Sequence, residues 1–365
     1  MASEQSPALK EIFNAERLEH IACEMAVVYP AFDTKAFLKL AKTGLADLSV
    51  MQRMARVSEC LHAVLPLDFA ASVDVLRALA PRLNSAFVSM CLPHYVARYG
   101  AQAFDESMQA LKYFTAFGSS EFAIRHFLRS DLQRSLKLMH AWSLDDNEHV
   151  RRLASEGCRP RLPWSFRLEA VQADPQLAAG ILDNLKADPS LYVRKSVANH
   201  LNDITKDHPE WVMTLIEGWS LDNKHTAWIA RHALRSLIKQ GNQRALAIIG
   251  AGAKPEVEIV GVKVEPPVIG LGEKITLSFT LKSTVPDSQR LVIDYAIDYV
   301  KANGSTSAKV FKLKALTLPG NATETISRGQ QIKELTTRRH YAGRHAVHIM
   351  VNGERLASTA FEIVD

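Results

Sequence analysis

Cysteine is scarce here: Cys23, Cys60, Cys91 and Cys158 stand at wide, irregular intervals in 365 residues. That spacing gives neither a zinc pattern nor a disulfide framework, and it suits a reducing cytoplasm. No uncharged apolar run approaches the roughly 18 residues that a bilayer span needs. The opening MASEQSPALKEIFNAERLEHIA has no basic stretch leading into an apolar one, so a secretory signal is not expected. Glycine forms no Walker or Rossmann pattern, and the 13 histidines form no HExxH or other recognisable metal spacing. Neither a cofactor nor a metal is therefore expected. A hydrolase centred in the C-terminal third finds no nucleophile–base constellation in the sequence.

The charge present is mild, with 44 Lys/Arg against 39 Asp/Glu. Its placement is more telling. Residues 1–118 hold 11 basic and 12 acidic side chains, residues 119–241 hold 17 and 15, and residues 242–365 hold 16 and 12. The balance drifts from −1 to +2 to +4, which is compatible with an anionic partner docking toward the C-terminal two-thirds.

Two periodicities divide the chain. Up to about residue 250 apolar residues recur every three or four positions, with breaks at Tyr29-Pro30, Gly100, Ser119-Ser120, Asp174-Pro175, Asp188-Pro189 and His208-Pro209. After GAGAKPE at 250–256 come seven short alternating runs: VEIVGVKV, KITLSFTL, LVIDYAIDYV, KVFKLKALTL, TETISR, HAVHIMV and STAFEIV. They predict an antiparallel sandwich of immunoglobulin-like size.

The helical part repeats. VRRLASEG (150–157), VRKSVANHLND (193–203) and IARHALRSL (229–237) align at offsets of 43 and 36 residues, with FAIRHFLRS (122–130) as a degenerate copy. Val150, Val193 and Ile229 coincide, as do Ala154, Val197 and Ala233. Such hairpins cannot bury an apolar face alone, so copies stack into a solenoid. The fold class expected is mainly α: a HEAT-like α-solenoid over 1–250, then an all-β immunoglobulin-like sandwich over 251–365.

Residues four apart share a helical face. Lys195, Asn199 and Asp203 lie at such intervals, as do Arg152 with Glu156 and Arg231 with Arg235. Stacked repeats would align them into a cationic stripe interrupted by carboxylates, suited to phosphate contact without sequence readout. Arg152, Lys195 and Arg231 hold equivalent places and are expected to touch the backbone. Segment 150–168 holds five arginines, among them Arg159 and Arg161, with Trp164 in a Pro-bounded loop. An aromatic beside arginines is what a nucleic-acid surface offers. In the last third, Arg338, Arg339 and Arg344 crowd around Tyr341, and they join Arg194 as candidate DNA contacts.

RPRLPW (159–164) followed by LYVRKSVANHLNDITKDHP (191–209) resembles the HEAT-like-repeat DNA alkylation-repair glycosylases. The added β-sandwich is similar to the AlkC branch rather than the shorter AlkD branch. The resemblance implies a monofunctional enzyme that excises cationic N-alkylated bases, 3-methyladenine and 3-methylcytosine, from double-stranded DNA. It further implies that the base is not flipped into a deep pocket. Alkylation makes the leaving base cationic, so a strong general acid is not required. A carboxylate near the sugar stabilises the developing oxocarbenium charge and orients water. By position the candidates are Asp203, Glu156 and Glu121, the last placed at the start of the SSEFAIR helix. The alternative is a non-catalytic HEAT scaffold that binds nucleic acid or protein. A cytoplasmic, nucleoid-associated bacterial protein is expected, without a membrane or obligate protein partner.

Overall fold

The computed structural model describes residues 9–333 and 339–364. Helices occupy the chain from Ala15 to Ile248, and strands from Val257 to Val364. Two compact units form, residues 1–207 and residues 208–365. Among the described residues no helix is long and apolar enough to cross a membrane.

In the first unit short polar residues start the helices. Asn14, Asp33, Asp68 and Asp131 each accept a hydrogen bond from the amide three residues on, which satisfies a donor that the helix itself cannot. The repeat helices Glu148–Gly157 and Leu191–Ile204 pack together. Val150, Leu153 and Ala154 are buried from the first, and Val193, Val197 and Leu201 from the second. Each large side chain so buried contributes about 1.5–3 kcal/mol. Gly157 ends its helix where a Cβ would stand 2.5 Å from Ile124 Cγ2, so only glycine lets the Ile124–Ser130 helix approach. That helix starts at Ile124. Glu121, expected at a helix start, lies in the turn before it.

The second unit opens with helices Pro209–Glu217, Lys224–Ala233, Arg235–Lys239 and Gln243–Ile248. Ile229 and Ala233, the third copy of the repeat positions, are fully buried here. Eight strands follow: β1 (Val257–Glu265), β2 (Val268–Gly270), β3 (Lys274–Ser283), β4 (Gln289–Val300), β5 (Thr306–Leu318), β6 (Thr323–Gln331), β7 (Gly343–Val351) and β8 (Glu354–Val364). They form a three-stranded sheet in the order β1-β3-β6 and a five-stranded sheet in the order β2-β8-β7-β4-β5. Alternate residues of both sheets, such as Phe279, Leu281, Tyr295, Ile297, Val347, Ile349 and Phe361, make the core.

Seven of the strands are those that the alternation marks. The eighth, β2, is only three residues long, follows Pro266-Pro267 and pairs parallel to β8. It is too short to show a period, and its partner lies nearly a hundred residues away, so the expectation of a purely antiparallel sandwich is corrected. Within the same unit the Gly241 turn meets the Gly353 turn, where a Cβ on Gly353 would come within 2.7 Å of Gly241 Cα. The neighbouring Asn352 side chain accepts from Val292 N at 2.9 Å and donates to Ala253 O at 3.0 Å.

Candidate active site

The two repeat helices and the turn before Ile124 bring the three expected acids into one line of alternating charge. Ser119 Oγ donates to Glu121 Oε2 at 2.7 Å, and Arg152 reaches both Ser119 and Glu121. Arg152 also lies 3.5 Å from Glu156 Oε1, as the four-residue spacing predicts. Arg159 makes the closer contact to that oxygen, at 2.6 Å, and its Nε donates to Asp203 Oδ2 at 2.9 Å. Lys206 ends the line 3.7 Å from Asp203 Oδ1. Glu156 and Asp203 are only 5% and 6% exposed. A carboxylate so withdrawn from water persists when paired, and the two arginines supply that pairing.

Electrostatics follow from this packing. Burial raises the Asp203 pKa, with the Arg159 hydrogen bond and charge opposing. Burial pulls the Arg159 and Arg152 guanidiniums down, but their carboxylates outweigh it and hold both above the ordinary value. Burial raises the Tyr192 phenol, and the Arg152 charge opposes. The Tyr192 ring lies 4.8 Å from the Arg152 carbon. Arg152 and Arg159 are thus internal members of the acidic line, not cations held out on a stripe.

Two buried residues that sequence reasoning missed hold this line in register. Arg125 is wholly buried and donates to the carbonyls of Gly157 at 3.0 Å, Arg159 at 2.6 Å and Phe166. Burial lowers its pKa to about 10, so it stays a cation at neutral pH. The Phe166 ring is also covered by Arg129, 3.5 Å from its centroid. His200, also wholly buried, is pushed down to about 3 by burial and is neutral. Its Nδ1 sits 3.0 Å from Ser155 O; a carbonyl only accepts, so Nδ1 carries the proton. The bond joins the residue before Glu156 to the helical turn that carries Asp203. One sequence signal for Arg125 existed: it stands among Ile124, Phe127 and Leu128 on a buried helical face.

Between those anchors the loop presents Trp164, which is 65% exposed and has a left-handed φ of 64°. A left-handed bulky residue is strained and persists where its surroundings fix it. Arg161 forks onto Asp207, with contacts of 2.8 and 3.1 Å. Arg194 turns back to the carbonyls of Asp188 and Pro189 at 2.8 and 2.7 Å. Its repeat counterpart Arg151 does the same to Asp145 and Asp146, at 2.9 and 2.8 Å. Lys195 is exposed and Asn199 half-buried.

In the second unit Arg231 is exposed, and Arg235 donates to His232 O at 2.5 Å. Arg339 and Arg344 are exposed, Arg344 opposite Glu362 in the β7–β8 register. Arg338 lies outside the described residues. One expectation is overturned here. A nucleophile–base arrangement does exist in the sandwich: Ser358 Oγ is 2.7 Å from His348 Nδ1, and His348 Nε2 is 3.0 Å from Asp298 Oδ2. The three stand on paired strands β8, β7 and β4. Amides there face neighbouring carbonyls in the ladder and do not converge on one point, as acyl transfer requires.

A family model described as DNA alkylation repair enzyme matches residues 90–237, which hold the whole acidic line. Another, described as the C-terminal Ig-like domain of the uncharacterised protein YhaZ, matches residues 258–365. Over 356 residues the chain is 40% identical to the uncharacterized protein YhaZ of Bacillus subtilis (strain 168), covering 97% of this chain and 99% of that one. The solved structure of Pseudomonas fluorescens alkylpurine DNA glycosylase AlkC, bound to DNA containing an abasic site analogue, is 71% identical. It superposes with a TM-score of 0.95 over 98% of this chain and 100% of that one. The chain therefore belongs to the DNA alkylation repair enzyme family, in the branch that carries a YhaZ-type C-terminal immunoglobulin-like domain.

Proposed function

We propose that this protein is a monofunctional DNA glycosylase that hydrolyses the N-glycosidic bond of cationic N-alkylated bases in duplex DNA, leaving an abasic site. The observation that carries the proposal is the line of paired charges Glu121, Arg152, Glu156, Arg159, Asp203, with the exposed Trp164 in the loop that follows Arg159. The base leaves already bearing a positive charge, so the developing charge to be stabilised is on the sugar. Glu156 and Asp203, both paired with Arg159, are the groups assigned to that task, with Glu121 third and the attacking water oriented among them. Such fixed charges need no reorganisation when the bond breaks.

The substrates proposed are 3-methyladenine and 3-methylcytosine, acted on without extruding the base. Trp164 supports this by offering an open stacking face in place of a walled pocket. Residues 1–250 are assigned the DNA-binding and catalytic work. Lys195, Asn199, Arg161, Arg231 and Arg235 are its proposed contacts, and Arg339 and Arg344 those of the sandwich. The cytoplasm, where the nucleoid is, is the proposed location.

Single-turnover release of free base from duplexes carrying each lesion tests the activity. Release from both lesions is expected, and a protein that binds such DNA but releases neither base is a scaffold. A 2-aminopurine beside the lesion tests extrusion, since its fluorescence rises when the stack opens into a pocket; no such rise is expected.

A further inference from the structure

In the second unit the last helices lie against the outer face of the β4–β5 pair, and a cleft of about 60 Å³ opens between them. That volume is far below the roughly 300–1,000 Å³ of sites for drug-sized ligands, yet it exceeds the share of one water molecule, about 30 Å³. Its lining is unusual in charge. Arg231, Arg235 and Lys239 come from the helices at intervals of four, Arg290 from β4 and Lys312 from β5. Ile238, Ile249, Val292 and Ala315 supply apolar walls. Against five cations stands one carboxylate, Asp294, which is 6% exposed and in register with Lys312 across a β-bulge.

Among the described residues no carboxylate lies within 4 Å of the charged nitrogens of Arg231, Lys239, Arg290 or Lys312, and none of these cations lies that close to Asp294. Arg152 and Arg159, by contrast, are paired with carboxylates, and Arg125 donates to carbonyls. Arg231, Lys239, Arg290 and Lys312 are themselves exposed at the rim, and the buried titratable group they surround is Asp294. Burial and the like charge of Arg290 hold the Arg231 guanidinium below its ordinary value. An anion in the cleft relieves that repulsion.

We propose that this cleft is a binding site for a tetrahedral oxyanion, a phosphate group or sulfate, gripped by Arg231, Lys239, Arg290 and Lys312, and that the carboxyl of Asp294 sets its affinity. Ionised, Asp294 repels the anion. Protonated, it donates a hydrogen bond to it. Burial pushes Asp294 up to about 6, with Lys239 and Lys312 opposing, so the site tightens as pH falls from 7.5 to 5. The strand on its other side, β7, presents Met350 to it in register, and His348, two residues along the same face, is engaged with Asp298 at 3.0 Å.

Sulfate is the probe, because its charge is constant across this pH range whereas that of inorganic phosphate is not. Calorimetric titration of the full chain, at ionic strength held constant with chloride, is expected to show sulfate binding about tenfold tighter at pH 5 than at pH 7.5. Asp294→Asn is expected to bind tightly at both pH values, and Arg290→Ala and Lys312→Ala about tenfold more weakly than wild type. Binding that is absent, or equal in Asp294→Asn and wild type at pH 7.5, or indifferent to loss of Arg290 and Lys312, overturns the proposal. Undamaged duplex added to the sulfate complex separates the two sources of the anion. Displacement of sulfate assigns the cleft to a backbone phosphate, and retention assigns it to a free anion. No base release is measured, so the glycosylase reading can fail without touching this one.

Discussion

Asp203 is pulled two ways, toward the neutral acid by its burial and toward the carboxylate by Arg159. Its pKa lies above the ordinary value, and the role proposed for it uses the ionised form. Base release is therefore expected to fall on the acid side with an apparent pKa above 3.8, measured as the pH dependence of the single-turnover rate. Asp203→Asn and Glu156→Gln should each slow release roughly 10²-fold or more while DNA affinity holds or rises. Near wild-type rates in both would remove these residues from the chemistry. Asp294 makes a separate claim on stability. Its folded pKa of about 6 exceeds the ordinary 3.8, so the native state binds the extra proton and loses stability as pH rises through that window. Asp294→Asn should be more stable than wild type by on the order of 3 kcal/mol at pH 8, with the gap closing near pH 4; urea melts at the two pH values check this. Arg125→Met would leave the carbonyls of Gly157, Arg159 and Phe166 without this donor, the first two of them buried, for a loss of about 3 kcal/mol in the same measurement.

The helical repeat explains which parts of the site could be read without coordinates. Val150, Val193 and Ile229 announce buried faces by period alone, and those faces fix the register that sets Glu156 and Asp203 on paired helices. The acids themselves were legible because each occupies a definite place in a long motif. Their connection was not, since Arg159 bridges residues 3 and 44 positions away, and no local pattern encodes a bridge of that length. Arg125 and His200 escaped for another reason: a buried polar residue looks like a surface one until its carbonyl partners are seen. The repeat also yields a device unseen in the sequence, the return of Arg151 and Arg194 onto carbonyls five and six residues earlier. It ties the first turn of each helix to the loop before it. Arg194→Ala should cost about 1 kcal/mol in a thermal melt and leave duplex affinity unchanged; a loss of affinity without a loss of stability would return Arg194 to the phosphate contacts.

At the scale of the whole chain, the change from helices to strands and the division into compact units fall at different places. Helices 209–248 share the second unit with the sandwich, and the Gly241–Gly353 approach and the Asn352 bond to Ala253 lie inside it. A chain ending near residue 250 therefore strips a packed face from its last four helices. It should melt at a lower temperature than the full chain, and its base release should fall, which circular dichroism and the release assay report together. The pairing of Arg152 and Arg159 with carboxylates has a consequence for the thermodynamics of association with a polyanion. A guanidinium already neutralised within the protein displaces no condensed counterion from DNA. The slope of log K against log salt should accordingly count only side chains such as Lys195 and Arg344, at about 0.9 per phosphate met. Lys195→Ala should lower that slope by about one unit, and Arg152→Ala should leave it where it was.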